Sequence, residues 1–216
     1  MSRLEDNAPA AMCQPGEVKW FVEELYREKP KHLHIQVFTL PSKRVFWCLT
    51  SDDVVDVAAR AVAEKQNVYV GAGLSPRDYG SSRRCPAEHI AAIAGLWADV
   101  DYRNEVHTNP NLPPGLEQAR ELIRAMGPDP TIQIDTGYGI QAWWLFKELW
   151  VFESECERQR AAELSFRWSQ TLKAHAAARG WTVDSVHDLS RVMRLPGTLN
   201  LKRDTPKNVR QLDCEH

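Results

Sequence analysis

The chain has 216 residues, 43% of them hydrophobic and 26% charged, a balance that suits one large globular domain or two small lobes around a shared core. A formal net charge of −2 argues against a protein that coats nucleic acid by bulk charge, so any hold on a polyanion must come from local patches. Five scattered cysteines (Cys13, Cys48, Cys85, Cys156, Cys214) without a CxxC pair argue against a disulfide framework and a cysteine-rich zinc site.

The first 16 residues read as disordered, with acids and prolines where a signal peptide needs an apolar run, and no later stretch is long and apolar enough to span a bilayer. No membrane contact is expected, and the cytoplasm is the expected location. Val18, Phe21, Val22 and Leu25 recur at helical spacing and predict a helix over 17–28, closed by Pro30. Strand-like runs follow at 32–40 and 44–50, then a helix over 54–65 that Ser51 or Asp52 can cap. A strand is expected at 68–74. The loop after it carries the first basic patch, Arg77, Arg83 and Arg84 against Asp78, which a plain solvated face would equally explain.

The second half starts with a helix near 86–94 and a buried strand over 95–101. A polar loop leads to a helix at about 115–126, and strands at 131–136 and 140–146 flank a Gly-Tyr-Gly turn. A long helix over 154–178 ends before Gly180. Strand 181–184, a helical turn over 188–193 and strands at 197–202 and 209–212 complete the chain. The second basic patch lies here: Arg191, Arg194, Lys202, Arg203, Lys207 and Arg210 against Asp204. The interleaving predicts an α/β or α+β protein with a mainly antiparallel sheet.

Three blocks carry chemistry. In the first, an apolar strand runs into Asp99-Val100-Asp101, and strand alternation turns both carboxylates to one face. Adjacent carboxylates repel unless a cation sits between them, and oxygen ligands suit Mg²⁺ or Mn²⁺. Two surface acids at a strand end would show the same motif. The second block is Asp135-Thr-Gly-Tyr-Gly-Ile-Gln141, whose glycines permit a tight turn and close approach of a ligand. Taken alone it reads as a plain hairpin with Gln141 on a solvated face. The third sets Asp184 at a strand end, followed by Asp188, Arg191, Arg194 and Lys202. Arginines grip phosphate with paired hydrogen bonds, though Asp188 and Arg191 also suit a local i,i+3 ion pair.

In this order the blocks resemble the archaeo-eukaryotic primase superfamily, especially the primase–polymerase domains of phages, plasmids and mobile elements. Trp97-Ala-Asp99-Val-Asp101 matches the family's DxD strand, and Thr136-Gly-Tyr-Gly-Ile-Gln141 matches its Gly-rich turn with Gln in place of His. Val183-Asp184 matches its third acid, and Arg191-x-x-Arg194-Leu-Pro-Gly-Thr-x-Asn-x-Lys202 matches the mobile-element branch. The resemblance spans roughly residues 68–202. It implies an α+β fold: an RRM-like, mainly antiparallel catalytic sheet over about 86–216, packed with an N-terminal αβ module over about 17–85.

The resemblance also implies template-dependent primer synthesis or DNA extension by two-metal phosphoryl transfer, in replication of a mobile element or phage. Asp99, Asp101 and Asp184 would hold Mg²⁺ or Mn²⁺, with Asp188 the competitor for the third place. Gln141, Arg191, Arg194 and Lys202 would contact the nucleotide. The implied partners are a single-stranded DNA template and primer, nucleoside triphosphates, and a helicase domain or subunit. Gln141 can donate a hydrogen bond but cannot become cationic, a departure that bears on phosphate affinity.

Two other readings compete. His32-Leu33-His34 and Tyr26-x-x-Lys29 resemble the metal strand and nucleophile of an HUH-type nicking endonuclease, with the order of the two elements reversed. A catalytically inactive domain that binds nucleic acid is the other; acids at all three motif positions count against it.

Overall fold

Ten strands and four α-helices alternate along residues 12–212, the part of the chain that the computed structural model describes. The expected disorder over 1–16 falls largely outside that range. Helix α1 (Pro15–Leu25) starts earlier than predicted because proline, with its fixed φ and missing N–H, suits a first helical turn. It buries Val18, Phe21, Val22 and Leu25, as their spacing requires.

Strands β1 (Ile35–Leu40) and β2 (Val45–Cys48) form an antiparallel pair that leads into α2 (Ser51–Ala63). The α2 cap is Thr50, not Ser51 or Asp52. Its hydroxyl accepts from Asp53 N while the Asp53 carboxylate accepts from Thr50 N. Only Thr50 has an acid three positions on, and such a cap is typically worth about 1 kcal/mol.

The strand expected over 68–74 is two: β3 (Asn67–Gly71) and β4 (Gly73–Leu74), which join different sheets. Between them Ala72 N donates to Arg191 O. The helix expected at 86–94 is only a 3-10 turn, Ala87–His89, because the apolar run that follows is already β5 (Ala92–Asp101). Helix α3 (Leu116–Arg124) and the hairpin of β6 (Ile132–Asp135) with β7 (Gly139–Val151) follow as predicted, β7 running on past residue 146. Helix α4 (Glu155–Ala177) is capped by Ser154.

Residues 181–188 form no strand. Their backbone is satisfied instead from outside: the Trp97 indole donates to Val186 O, Ser165 Oγ to His187 O, and Thr182 N to Asn111 O. The helical turn expected over 188–193 shrinks to Leu189-Ser190, and β8 (Val192–Arg194) takes its end. Strands β9 (Thr198–Asn200) and β10 (Lys207–Leu212) complete the chain.

The strands make two antiparallel sheets, ordered β2-β1-β3-β8 and β4-β5-β7-β6-β10-β9, so the fold is α+β with mainly antiparallel pairing. The first sheet receives β8 from late in the chain, and the second receives β4 from early in it. One core cluster crosses between them, with Phe21 of α1 edge-on to Trp143 of β7 at 6.0 Å. A second cluster lies between the larger sheet and α3 and α4, and takes Ala98, Val100, Ile140, Ala142 and Trp144. No described helix is long and apolar enough to cross a membrane.

Candidate active site

Because Ala98 and Val100 point into the core under α3 and α4, alternation along β5 sends Asp99 and Asp101 to the opposite face. That is the face turned toward β8. Asp99 stands directly across from Gln141 on β7, and Asp101 across from Gly139. A Cβ on Gly139 would lie 2.6 Å from Asp101 Oδ1, so glycine leaves the space that the carboxylate fills. Burial, and then the neighbouring Asp101 charge, pushes Asp99 up to about 7. Burial also raises Asp101 above the usual carboxylate range.

Gln141 is not on a solvated face. It is 3% exposed, and its Oε1 has no hydrogen-bond partner among the described residues. A buried unpaired polar atom is costly, typically by about 1–3 kcal/mol, and marks a place where a ligand could complete the bonding. The turn before it is built by side chains. Thr136 donates to Gly139 O through both its N–H and its hydroxyl, and Asn200 Nδ2 donates to Thr136 O at 2.6 Å. Gly137 has φ +86°, and a Cβ there would meet Lys207 Cβ at 2.6 Å.

The second basic patch divides. Arg194, Arg191 and Lys202 all lie close enough to Asp99 for their charges to pull its pKa back down. Arg194 is 5% exposed and donates to Asn67 Oδ1 at 3.0 Å, and that same oxygen accepts from Leu201 N. Burial lowers its pKa. The Lys202 backbone N–H donates to the side-chain Oδ1 of Asn200 at 3.2 Å. By contrast Lys207 pairs with Glu105 at 3.2 Å and Arg210 with Asp135 at 3.7 Å, away from the paired aspartates.

The two candidate third acids are also separated. Asp184 is exposed and acts on Asp101, whose pKa its charge raises. Asp188 forms the local pair expected of it, with Arg191 Nη1 at 3.8 Å, and accepts from Ser190 Oγ. Sequence reasoning missed His107. Its Nε2 lies 3.4 Å from Asp101 Oδ1 and 3.3 Å from Lys202 Nζ. Asn104 folds the loop back, its Oδ1 accepting from Val106 N and His107 N and its Nδ2 donating to Tyr138 O. An Asn that opens a turn was the available signal.

Among the described residues no three His, Cys, Asp or Glu side chains stand close enough together to hold a metal ion. The donor set still fits Mg²⁺ or Mn²⁺. Mg²⁺ is commonly held by one or two carboxylates plus substrate phosphates, and here two hard oxygen donors share a strand face beside the unpartnered Gln141 oxygen. The endonuclease reading fares worse. Tyr26 is 4% exposed, its hydroxyl donates to Gly71 O, and burial raises its pKa, none of which suits a nucleophile. His32 is exposed, whereas His34 is half-buried with an enclosed Nδ1 that has no partner among the described residues.

No protein-family model matches the chain, and no curated protein matches its sequence. Solved structures do match its shape. The AEP domain of the cyanophage S-2L primase-polymerase (PrimPol) superposes with a TM-score of 0.61 at 16% identity, covering 94% of this chain and 91% of that one. Primase RepB′ gives 0.53 at 15% identity over 92% of this chain and 56% of that one. The catalytic domain of primase RepB′ in complex with initiator DNA gives 0.50 at 16% identity over 91% and 85%. The chain therefore has the fold of primase–polymerase domains, as its three sequence blocks led one to expect.

Proposed function

We propose that this chain is a template-dependent nucleotidyltransferase that makes primers or extends DNA, in the replication of a mobile element or phage. The observation that carries the reading is the pairing of Asp99 and Asp101 on one strand face, opposite the buried Gln141 and within charge range of Arg191, Arg194 and Lys202. Acids to hold cations and cations to hold phosphates are what phosphoryl transfer requires, because its catalysis is mostly positioning and charge stabilisation. The primase–polymerase fold supports the same reading.

Asp99 and Asp101 would hold Mg²⁺ or Mn²⁺, with Asp184 reaching in from the irregular segment 181–188. Bound there, such ions would activate a primer 3′ oxygen and steady the charge of the triphosphate and departing pyrophosphate. The chain's own part is orientation. Asn67 fixes the Arg194 guanidinium, and Asn200 ties the Gly137-Tyr138-Gly139 turn to Lys202. Gln141 would offer its amide N–H groups to phosphate oxygens.

Incubation with single-stranded template, nucleotides and Mn²⁺, with and without a primer, tests the proposal. Wild type should add nucleotides, and Asp99→Ala or Asp101→Ala should abolish addition while the fold survives. Wild-type extension by either variant would remove the metal assignment.

A further inference from the structure

The first basic patch takes no part in the site described above. Its arginines sit on aromatic rings at the open face of the four-stranded sheet. Alternation places Val37 and Val70 in the core, so Phe38 and Tyr69 face the other way, paired directly across β1 and β3 and both half-exposed. Their rings lie 6.3 Å apart. Arg194 pairs directly with Tyr69 across β3 and β8, its Cζ 5.0 Å from that ring. On the other side Arg84 Cζ stands 5.6 Å from the Phe38 ring.

The result is a row, Arg194–Tyr69–Phe38–Arg84, that begins beside Asp99 and runs outward across three strands. A second cluster continues past it: Trp47 and Tyr79 rings 5.8 Å apart, with Arg77 at 4.7 Å and Arg83 at 5.8 Å from Tyr79. Arg77, Arg83 and Arg84 are exposed, and none forms an ion pair among the described residues. The loop that carries them is held to the sheet by Cys85 N donating to Gln36 Oε1, Val45 N to Ser81 O and Trp47 Nε1 to Gly80 O. Solvated surface arginines have no need of a ring beneath each guanidinium, nor of a loop tied down on three sides.

We propose that this row is a lane for an unpaired nucleic acid strand, with bases stacking on Tyr69 and Phe38 and phosphates taken by Arg84, Arg83 and Arg77. Flat rings interleaved with guanidinium planes accept any base, so the lane discriminates little by sequence. A duplex hides its base faces and has nothing to offer the rings. The unpaired arginines select a polyanion over an apolar protein segment. The hollow beside Tyr79 is lined by Glu88 and Glu155 as well as Arg77 and Arg158, with Arg158 paired to Glu155, so the excess of unpaired positive charge ends there. The proposal rests on the polymerase reading only in naming the strand a template that leads to Asp99 and Asp101.

The test is binding of a fluorescein-labelled 12-nucleotide single-stranded DNA in chelator, without nucleotides, followed by anisotropy across a salt series. Phe38→Ala and Tyr69→Ala should each weaken binding about 5- to 150-fold, with Phe38→Trp and Tyr69→Phe close to wild type. Arg84→Ala, at an exposed position that should not disturb folding, should reduce the slope of log affinity on log salt by about 0.7. Wild-type affinity in both natively melting alanine variants, an unchanged slope for Arg84→Ala, or tighter binding of a duplex of the same sequence would each overturn the proposal. The two readings fail separately. If strand binding depends on Phe38 and Tyr69 but wild type adds no nucleotide, the lane stands and the polymerase reading falls. Nucleotide addition with unaltered binding in both variants gives the reverse.

Discussion

At the scale of the residue, Asp99 is the most informative group in the molecule. Its folded pKa of about 7 lies above its ordinary value of 3.8, so the folded state holds the proton more tightly than the unfolded chain does. The stability that follows is fully present below about 3.8 and is lost as pH rises through about 7. A divalent cation needs the carboxylate and must displace that proton. We therefore predict that Mn²⁺ raises the melting temperature more at pH 8 than at pH 5.5, with a weaker apparent affinity at the lower pH. A Mn²⁺ response independent of pH, or one retained by Asp99→Ala, would contradict the assignment. Gln141 makes a second test at this scale. A hydrogen bond donated by an amide N–H to a charged phosphate is typically worth roughly 1.5–3 kcal/mol, so Gln141→Ala should raise the Michaelis constant for nucleotide about ten- to a hundredfold. Gln141→His should keep or improve activity. Unchanged extension kinetics for Gln141→Ala would take Gln141 out of the site.

At the scale of the element, the segment 181–188 matters most. It has no strand partner, yet side chains from β5 and α4 hold it by its carbonyls at Val186 and His187. An anchored but irregular segment can present Asp184 to Asp101 and still shift when a ligand arrives, which a strand in a sheet could not do. Asp188 is occupied with Arg191 and Ser190. Asp184→Ala should therefore lower nucleotide incorporation by at least tenfold, the usual range for a lost charge-stabilising group. Asp188→Ala should act weakly, through the mobility of Arg191. Single-turnover rates for the two variants decide the order, and a larger loss for Asp188→Ala would reverse the assignment.

At the scale of the whole molecule, the two sheets are not independent. β8, near the end of the chain, completes the N-terminal sheet, and β4 has crossed from the N-terminal part into the larger sheet. Phe21 and Trp143 sit in one shared cluster. A fragment of residues 12–85 would expose the β3 edge and the apolar side of α1 that meets Trp143. It should show no cooperative thermal transition, whereas the full chain should melt in a single step. Calorimetry checks both. Two resolved transitions in the full chain would mean that the shared core contributes little.

Amphipathic helices and the DxD strand were legible in the sequence because their signals are local: Val18, Phe21, Val22 and Leu25 recur at helical spacing, and Asp99 and Asp101 alternate out of an apolar strand. The Gly-Tyr-Gly turn was legible for the same reason. What only the tertiary structure decided is which groups meet across long stretches of chain. Gln141 looked solvated, but it lies between Asp99 and Ile134 in the middle of the larger sheet and is buried there. The strand at 68–74 looked continuous, but Arg191 takes its backbone bond at Ala72 and divides it between two sheets. Residues 181–184 looked like a strand, but their apolar pattern serves anchoring rather than pairing. His107 reaches Asp101 only because Asn104 turns a polar loop back on itself. Periodicity records which face of an element is buried. It carries no record of the partner that buries it, and at this site the partners determine burial, charge and chemistry.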